Sequence, residues 1–125
     1  MAMFNFHKDF LVPWHYLAEA LLEGKIAFEM AHGMPAFEHM SKNPQVSALY
    51  NQAMSQLSVL VCDKLLERFT GFDGIGVLVD LGGGIGTVLG MITSRYKHIK
   101  GINFDLPFVI NQAKPIPGWS ICRNS

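Results

Sequence analysis

The sequence predicts an α/β chain with a helical first part and a parallel βαβ crossover in its second part. Three observations carry this. Apolar residues recur at three- and four-residue steps up to about residue 69. The cluster Gly71-Phe72-Asp73-Gly74 then breaks the pattern. Beyond it, two short runs of strand-forming residues, each closed by a carboxylate, flank a glycine-rich turn and a helical stretch.

Residues 11–23 read as the first helix. Pro13 suits its first turn, where a missing N–H does no harm, and Gly24 suits its end. Trp14, Leu17, Ala18, Leu21 and Leu22 form an apolar stripe. Residues 25–42 read as irregular, punctuated by Gly33 and Pro35, with one short turn at 36–40. A long helix follows, with Asn43 as N-cap, Pro44 at its first position and an end near Phe69. Its apolar residues run from Val46 to Leu65, and its polar face carries little charge. Such a helix buries more than one face. Residues 77–81 read as a strand ending at Asp80-Leu81, and 82–86 as a turn. Residues 87–96 then read as a helix, 99–105 as a second strand and 107–114 as the start of another helix.

Composition narrows the function classes. Of 125 residues, 50% are hydrophobic and 16% charged, against about 25% charged in an ordinary soluble domain. Disorder is excluded, because it needs low hydrophobicity and high net charge. Ten basic and ten acidic residues cancel, so no electrostatic footprint for nucleic acid or an acidic membrane exists. Cys62 and Cys122 form no CxxC or Cys/His cluster. They imply a reducing compartment, bland thiols and no metal site. No stretch reads as a secretory signal or a membrane span, so a cytoplasmic location is expected.

The chemistry lies in Asp80-Leu81-Gly82-Gly83-Gly84-Ile85-Gly86. The dinucleotide fingerprint G-x-G-x-x-G fails, since its third position falls on Thr87 or Leu89. The P-loop fails for want of Gly-Lys-Ser/Thr. D-x-G-x-G-x-G remains, the spacing that Rossmann-like methyltransferases use for S-adenosylmethionine. That ligand has no pyrophosphate. It has an amino-acid tail, a sulfonium and a ribose with two adjacent hydroxyls. Glycines at 82, 84 and 86 let the backbone turn and approach it without a Cβ in the way. Asp105, ending the next parallel strand, stands on the same sheet edge, where a carboxylate can accept from both ribose hydroxyls. Asp80 can orient the loop or the ligand's ammonium group.

The segments LVDLGGGIG, YKHIKGINFDLPFVI and HGMPAFEHMSKNPQVSALYNQAMS resemble the plant small-molecule O-methyltransferases of the caffeic acid O-methyltransferase type. The resemblance runs over residues 14–118. It implies a helical connector followed by an incomplete Rossmann-like S-adenosylmethionine-dependent methyltransferase domain. The expected division is residues 1–74 for the connector and substrate side, 75–118 for the partial methyltransferase domain and 119–125 for a divergent tail. The resemblance maps the cofactor glycine onto Gly82, the ribose-binding acid onto Asp105 and a cofactor-facing serine onto Ser58. It maps a phenolic substrate wall onto Ala36, Phe37, Tyr50 and Met54, which suits a flat ring held by apolar and thioether contacts.

The family's reaction is methyl transfer to a phenolic hydroxyl, with a histidine as general base. His7, His15, His32, His39 and His98 match no such position, so no catalytic residue is assigned. The family's adenine-binding acidic motif is not matched either. Two roles follow from the resemblance: a phenolic O-methyltransferase piece inactive by itself, or a non-catalytic fragment that associates with intact subunits. The family is homodimeric, and self-association is expected here because two parallel strands leave sheet edges uncovered. Acceptors in such enzymes range over phenylpropanoids, flavonoids, alkaloids and an amine.

Overall fold

A computed structural model describes residues 7–116 and 119–123, with the backbone alone for Cys122 and Arg123. The chain forms two compact units, Met1–Ala53 and Met54–Ser125. The division falls within the long helix rather than at residue 74. The reason is packing: Cys62 and Leu66 on that helix belong to the same buried cluster as Ile92 and Ile99, so the helix's second half belongs with the sheet. The boundary expected at residue 118 and the end of the tail lie outside the described residues.

The first unit holds four short helices, α1 (Lys8–His15), α2 (Leu17–Glu23), α3 (Ala27–His32) and α4 (Ala36–Lys42), and the start of α5 (Pro44–Arg68). The single helix expected over 11–23 is therefore two. Pro13 lies in the last turn of α1, not in a first turn. It has no N–H for the carbonyl of Asp9, four residues back. That carbonyl instead accepts the Nε2–H of His32 at 2.9 Å. The stretch expected to be irregular is two helices, separated where Gly33 takes φ 70° and Pro35 precedes α4. Asn43 joins α4 to α5: its amide donates to the His39 carbonyl at 2.7 Å, and its own carbonyl accepts from the Ser47 N–H at 3.0 Å. The stripe on α1 and α2 does not form a core. Trp14, Leu21 and Leu22 are 69%, 76% and 89% exposed, while Ala20, Met40, Val46 and Ala53 are buried.

The second unit is a three-stranded parallel sheet in the order β1 (Val77–Leu81), β2 (Lys100–Asp105), β3 (Trp119–Arg123). Helix α6 (Thr87–Arg95) makes the crossover, and α7 (Pro107–Ile110) is a single turn, shorter than expected. Leu78, Val88, Met91 and Tyr96 pack against Cys62, Leu66, Ile92 and Ile99 to form the core. The third strand corrects the expectation of two strands. Trp119 anchors it. A Cβ at Gly86 would collide with the indole and one at Gly101 would crowd it, and its Nε1–H donates to Thr93 Oγ1 at 3.1 Å. Among the described residues β1 has no neighbour on its outer side, and Val77, Val79 and Leu81 are exposed.

Candidate functional site

The candidate site is built where β1 and β2 end side by side. Parallel pairing sets Asp80 opposite Asn103 and Leu81 opposite Phe104. The chain leaves β1 still bonded to its neighbour, with the Gly82 N–H donating to the Phe104 carbonyl at 2.8 Å. It then turns through residues 82–86, closing with the Gly86 N–H on the Gly83 carbonyl at 2.9 Å. Gly82, Gly84 and Gly86 take φ of 73°, 60° and 86°. This is left-handed backbone that any Cβ would strain. The D-x-G-x-G-x-G spacing thus coincides with the three positions whose backbone conformation requires glycine.

Asp105 grips the turn. Its Oδ2 accepts the Gly84 N–H at 2.7 Å, and its Oδ1 accepts the Leu106 N–H at 2.6 Å. A carboxylate offers about four acceptor positions, and these two bonds use two of them among the described residues. On the other side of the same residue, Asn103 Nδ2 donates to the Gly84 carbonyl at 3.0 Å. Asp80 is half-buried. Burial first, and then the negative charge of Asp105, push its carboxyl above the ordinary aspartate range. Gly82, Gly84, Asp80 and Asp105 are therefore gathered on one rim of the sheet, with Gly86 closing the turn.

Ser58 is placed differently. It lines an apolar cavity of about 390 Å³ with Leu57, Val61, Cys62, Leu65 and Phe72, and no residue of the turn is among that cavity's walls. The serine of α5 that reaches the start of α6 is Ser55, whose Oγ lies 2.7 Å from Thr87 Oγ1. Of the expected substrate wall, Phe37 and Tyr50 meet edge to face at 6.3 Å between ring centres, and Phe10 stacks on Tyr50 at 6.4 Å. Ala36 lies beside Phe37 on α4 in this first unit, whereas Met54 opens the second. Sequence reasoning passed over Asn103, Ser55 and Trp119. Asn103 carried a signal, as the one uncharged polar residue in an apolar strand, two positions before Asp105 and so on its face.

Among the described residues, no cluster of three metal-ligating side chains occurs, and no helix is long and apolar enough to cross a membrane.

The O-methyltransferase domain family matches residues 14–119 of the chain. The chain belongs to that family. A rice protein named "Probable inactive methyltransferase" is 58% identical over 93% of this chain and 32% of its own length. A rice "Caffeate O-methyltransferase-like protein 2" is 56% identical over 94% of this chain and 34% of its own. Among solved structures, human N-acetylserotonin methyltransferase in complex with S-adenosylmethionine superposes with a TM-score of 0.82. It is 21% identical and covers 98% of this chain and 37% of its own. That likeness establishes the fold. The chain spans about a third of the length of these relatives. The O-methyltransferase chain accordingly holds an incomplete Rossmann-like domain, and S-adenosylmethionine is the cofactor of its family.

The turn fits that cofactor. No atom lies within 4 Å of where a Cβ would stand at Gly82 or Gly84, so the backbone there faces open space. The donor set is also suitable, with backbone curvature for the amino-acid tail, a carboxylate with unused acceptor positions for a diol, and a second carboxyl for a cation.

Proposed function

We propose that this chain is the cofactor-gripping part of an S-adenosylmethionine-dependent O-methyltransferase that acts on a phenolic hydroxyl of a plant secondary metabolite. The observation that supports it most is the 2.7 Å bond between the Gly84 N–H and Asp105 Oδ2. It ties the glycine turn to the acid of the next strand and uses one of that acid's about four acceptor positions. When bound, adenosylmethionine supplies an electrophilic methyl group. The chain's own residues orient it: Asp105 accepts from the ribose hydroxyls, Asp80 faces the ammonium group directly or through water, and Gly82, Gly84 and Gly86 allow close approach. The family resemblance assigns the acceptor's apolar wall to Ala36, Phe37, Tyr50 and Met54. Orientation and exclusion of water are the main contributions, because nucleophile and sulfonium neutralise each other in the transfer.

Deprotonating a phenol needs a base, the family's histidine position has no match here, and three of the chain's five histidines are otherwise engaged. His32 and His39 both bond to Asp9, His7 caps α1, and His15 and His98 are exposed. By itself, then, the chain binds cofactor without transferring methyl. The setting is the cytoplasm, and assembly is homodimeric as in the family. The exposed residues of β1 favour a second reading, in which the chain associates with an intact methyltransferase subunit and serves no catalytic purpose.

Calorimetric titration with S-adenosylhomocysteine tests the first reading. Binding is expected in the wild type and lost in Gly82→Val. Equal affinity in both removes the assignment of the turn. Radiolabelled methyl transfer to catechol-type phenols and to aromatic amines is expected to be absent for the chain alone. Capture of an intact relative without cofactor binding would favour the second reading.

A further inference from the structure

One glycine of the turn is unexplained by backbone conformation. Gly82, Gly84 and Gly86 have positive φ, but Gly83 does not. A Cβ on Gly83 would collide with Asn103 Oδ1 and stand 2.8 Å from both Cγ and Oδ2 of Asp80. Gly83 is therefore glycine for space, and Asn103 and Asp80 occupy that space. Asn103 is fully buried. Its Nδ2 donates to the Gly84 carbonyl at 3.0 Å, whereas its Oδ1, aimed at Gly83, has no hydrogen-bond partner among the described residues. A buried polar atom without a partner is rare and costly, so its retention calls for a reason.

We propose that Asn103 is a positioning residue for the cofactor turn: its single buried amide fixes where the Gly83-Gly84 backbone stands, and so where Asp105 receives the Gly84 N–H. This rests on the cofactor role of the turn and deepens it. The amide's two ends work together. The donor end holds the Gly84 carbonyl, while Asp105 holds the N–H of the same residue. Both hydrogen-bonding groups of Gly84 are thus satisfied from β2, and the left-handed conformation at Gly84 is fixed from two sides. The acceptor end sits against the bare Cα of Gly83, close enough for a weak Cα–H···O contact. This lets the turn settle onto the strand. Leucine would fill the volume but could not hold the carbonyl. A carboxylate would repel it and add a third negative charge beside Asp80 and Asp105.

Protonation gives the test. In Asn103→Asp the neutral carboxylic acid reproduces the amide, its O–H donating to the Gly84 carbonyl and its C=O replacing Oδ1. The ionised form cannot do so. Binding of S-adenosylhomocysteine to wild type and Asn103→Asp is measured by calorimetry between about pH 8 and about pH 5, a range that brackets a raised carboxyl titration. At the alkaline end the variant is expected to bind about tenfold more weakly or worse, as an orphaned buried carbonyl implies. The gap to wild type should close as the pH falls. A gap that stays constant with pH, or no gap at the alkaline end, overturns the proposal. A merely structural residue would give such a constant gap.

The Gly84 amide resonance of the ligand-free chains is followed over the same range. It should move towards its wild-type position on acidification of Asn103→Asp, and a stationary resonance also overturns the proposal. Failure of the wild type to bind S-adenosylhomocysteine, with the Gly84 resonance still tracking pH in the variant, overturns the cofactor reading and leaves the role of Asn103 in the turn standing.

Discussion

The two units solve the same problem, how to hold short elements together, with opposite chemistry. In the first, a carboxylate gathers histidines. Asp9 Oδ2 lies 2.9 Å from His39 Nε2, its backbone carbonyl takes His32, and His7 Nδ1 is 3.8 Å from Oδ1. The rings of His32 and His39 are 4.5 Å apart, with Phe28 tilted onto His32 at 4.4 Å. Burial alone would raise the Asp9 carboxyl. The hydrogen bond from His39 and the charges of His7, His39 and His32 outweigh it, and the carboxyl lies below its ordinary range. In the second unit burial first, and then the negative charge of Asp105, hold the half-buried Asp80 above its range. One aspartate glues helices together, whereas the other is a poised group at a rim. The opposite shifts distinguish an acid paired with donors and cations from one set beside a second acid.

The largest expected effect would break the second unit. Gly86→Val combines φ 86° with a collision against the Trp119 ring, and should cost roughly 3 kcal/mol or more. Thermal unfolding by circular dichroism should then show early loss of the sheet. A melting temperature within experimental error of wild type would mean that Trp119 does not depend on that glycine. Gly82→Val, with open space beside it, should cost only about 1–2 kcal/mol of backbone strain, while the proposed role of the turn predicts that it loses cofactor binding. The two valines therefore separate a glycine kept for packing from one kept for the ligand.

The opposed aspartates sharpen the comparison through pH. Asp9 is depressed in the folded state, so its stabilisation is present above the unfolded aspartate value and is lost as pH falls through the folded one. Asp80 is raised, so its contribution is full below the unfolded value and is lost as pH rises through the folded one. Site-resolved carboxyl NMR should give midpoints on opposite sides of about 3.9. Asp80→Asn should leave stability equal or greater near neutrality, whereas Asp9→Asn should lower it and flatten the acid limb. A shared midpoint would erase the distinction. Least affected will be Lys64→Ala on the exposed Lys64–Glu67 pair at 2.8 Å, with no more than about 0.5 kcal/mol lost in urea unfolding.

Much of the second unit was legible because its signals are local. Three glycines forced by φ, a carboxylate at each strand end and strand-forming runs of the right length place β1, the turn and β2 with no knowledge of the rest. The long helix was legible for the same reason, from Pro44 to its end within a residue of expectation. In the first unit the local signals misled. Pro13 looked like a helix start and sits near a helix end. The stripe of Trp14, Leu21 and Leu22 looked like a buried face and is exposed. Residues 25–42 looked irregular because helices of six and seven residues are too short to show a period.

The amino-acid order alone settled the crossover, the turn and the kind of ligand that its curvature suits, since backbone handedness and strand spacing are properties of neighbouring residues. Tertiary packing decided the rest. It made the last segment a third strand, because Gly86 and Gly101, both distant from it in sequence, leave a slot for one indole. It set Ser55 rather than Ser58 beside Thr87, and turned a buried asparagine into the support of the turn. Such choices depend on which atoms meet across the fold, and no stretch of sequence contains that information until the chain has closed on itself.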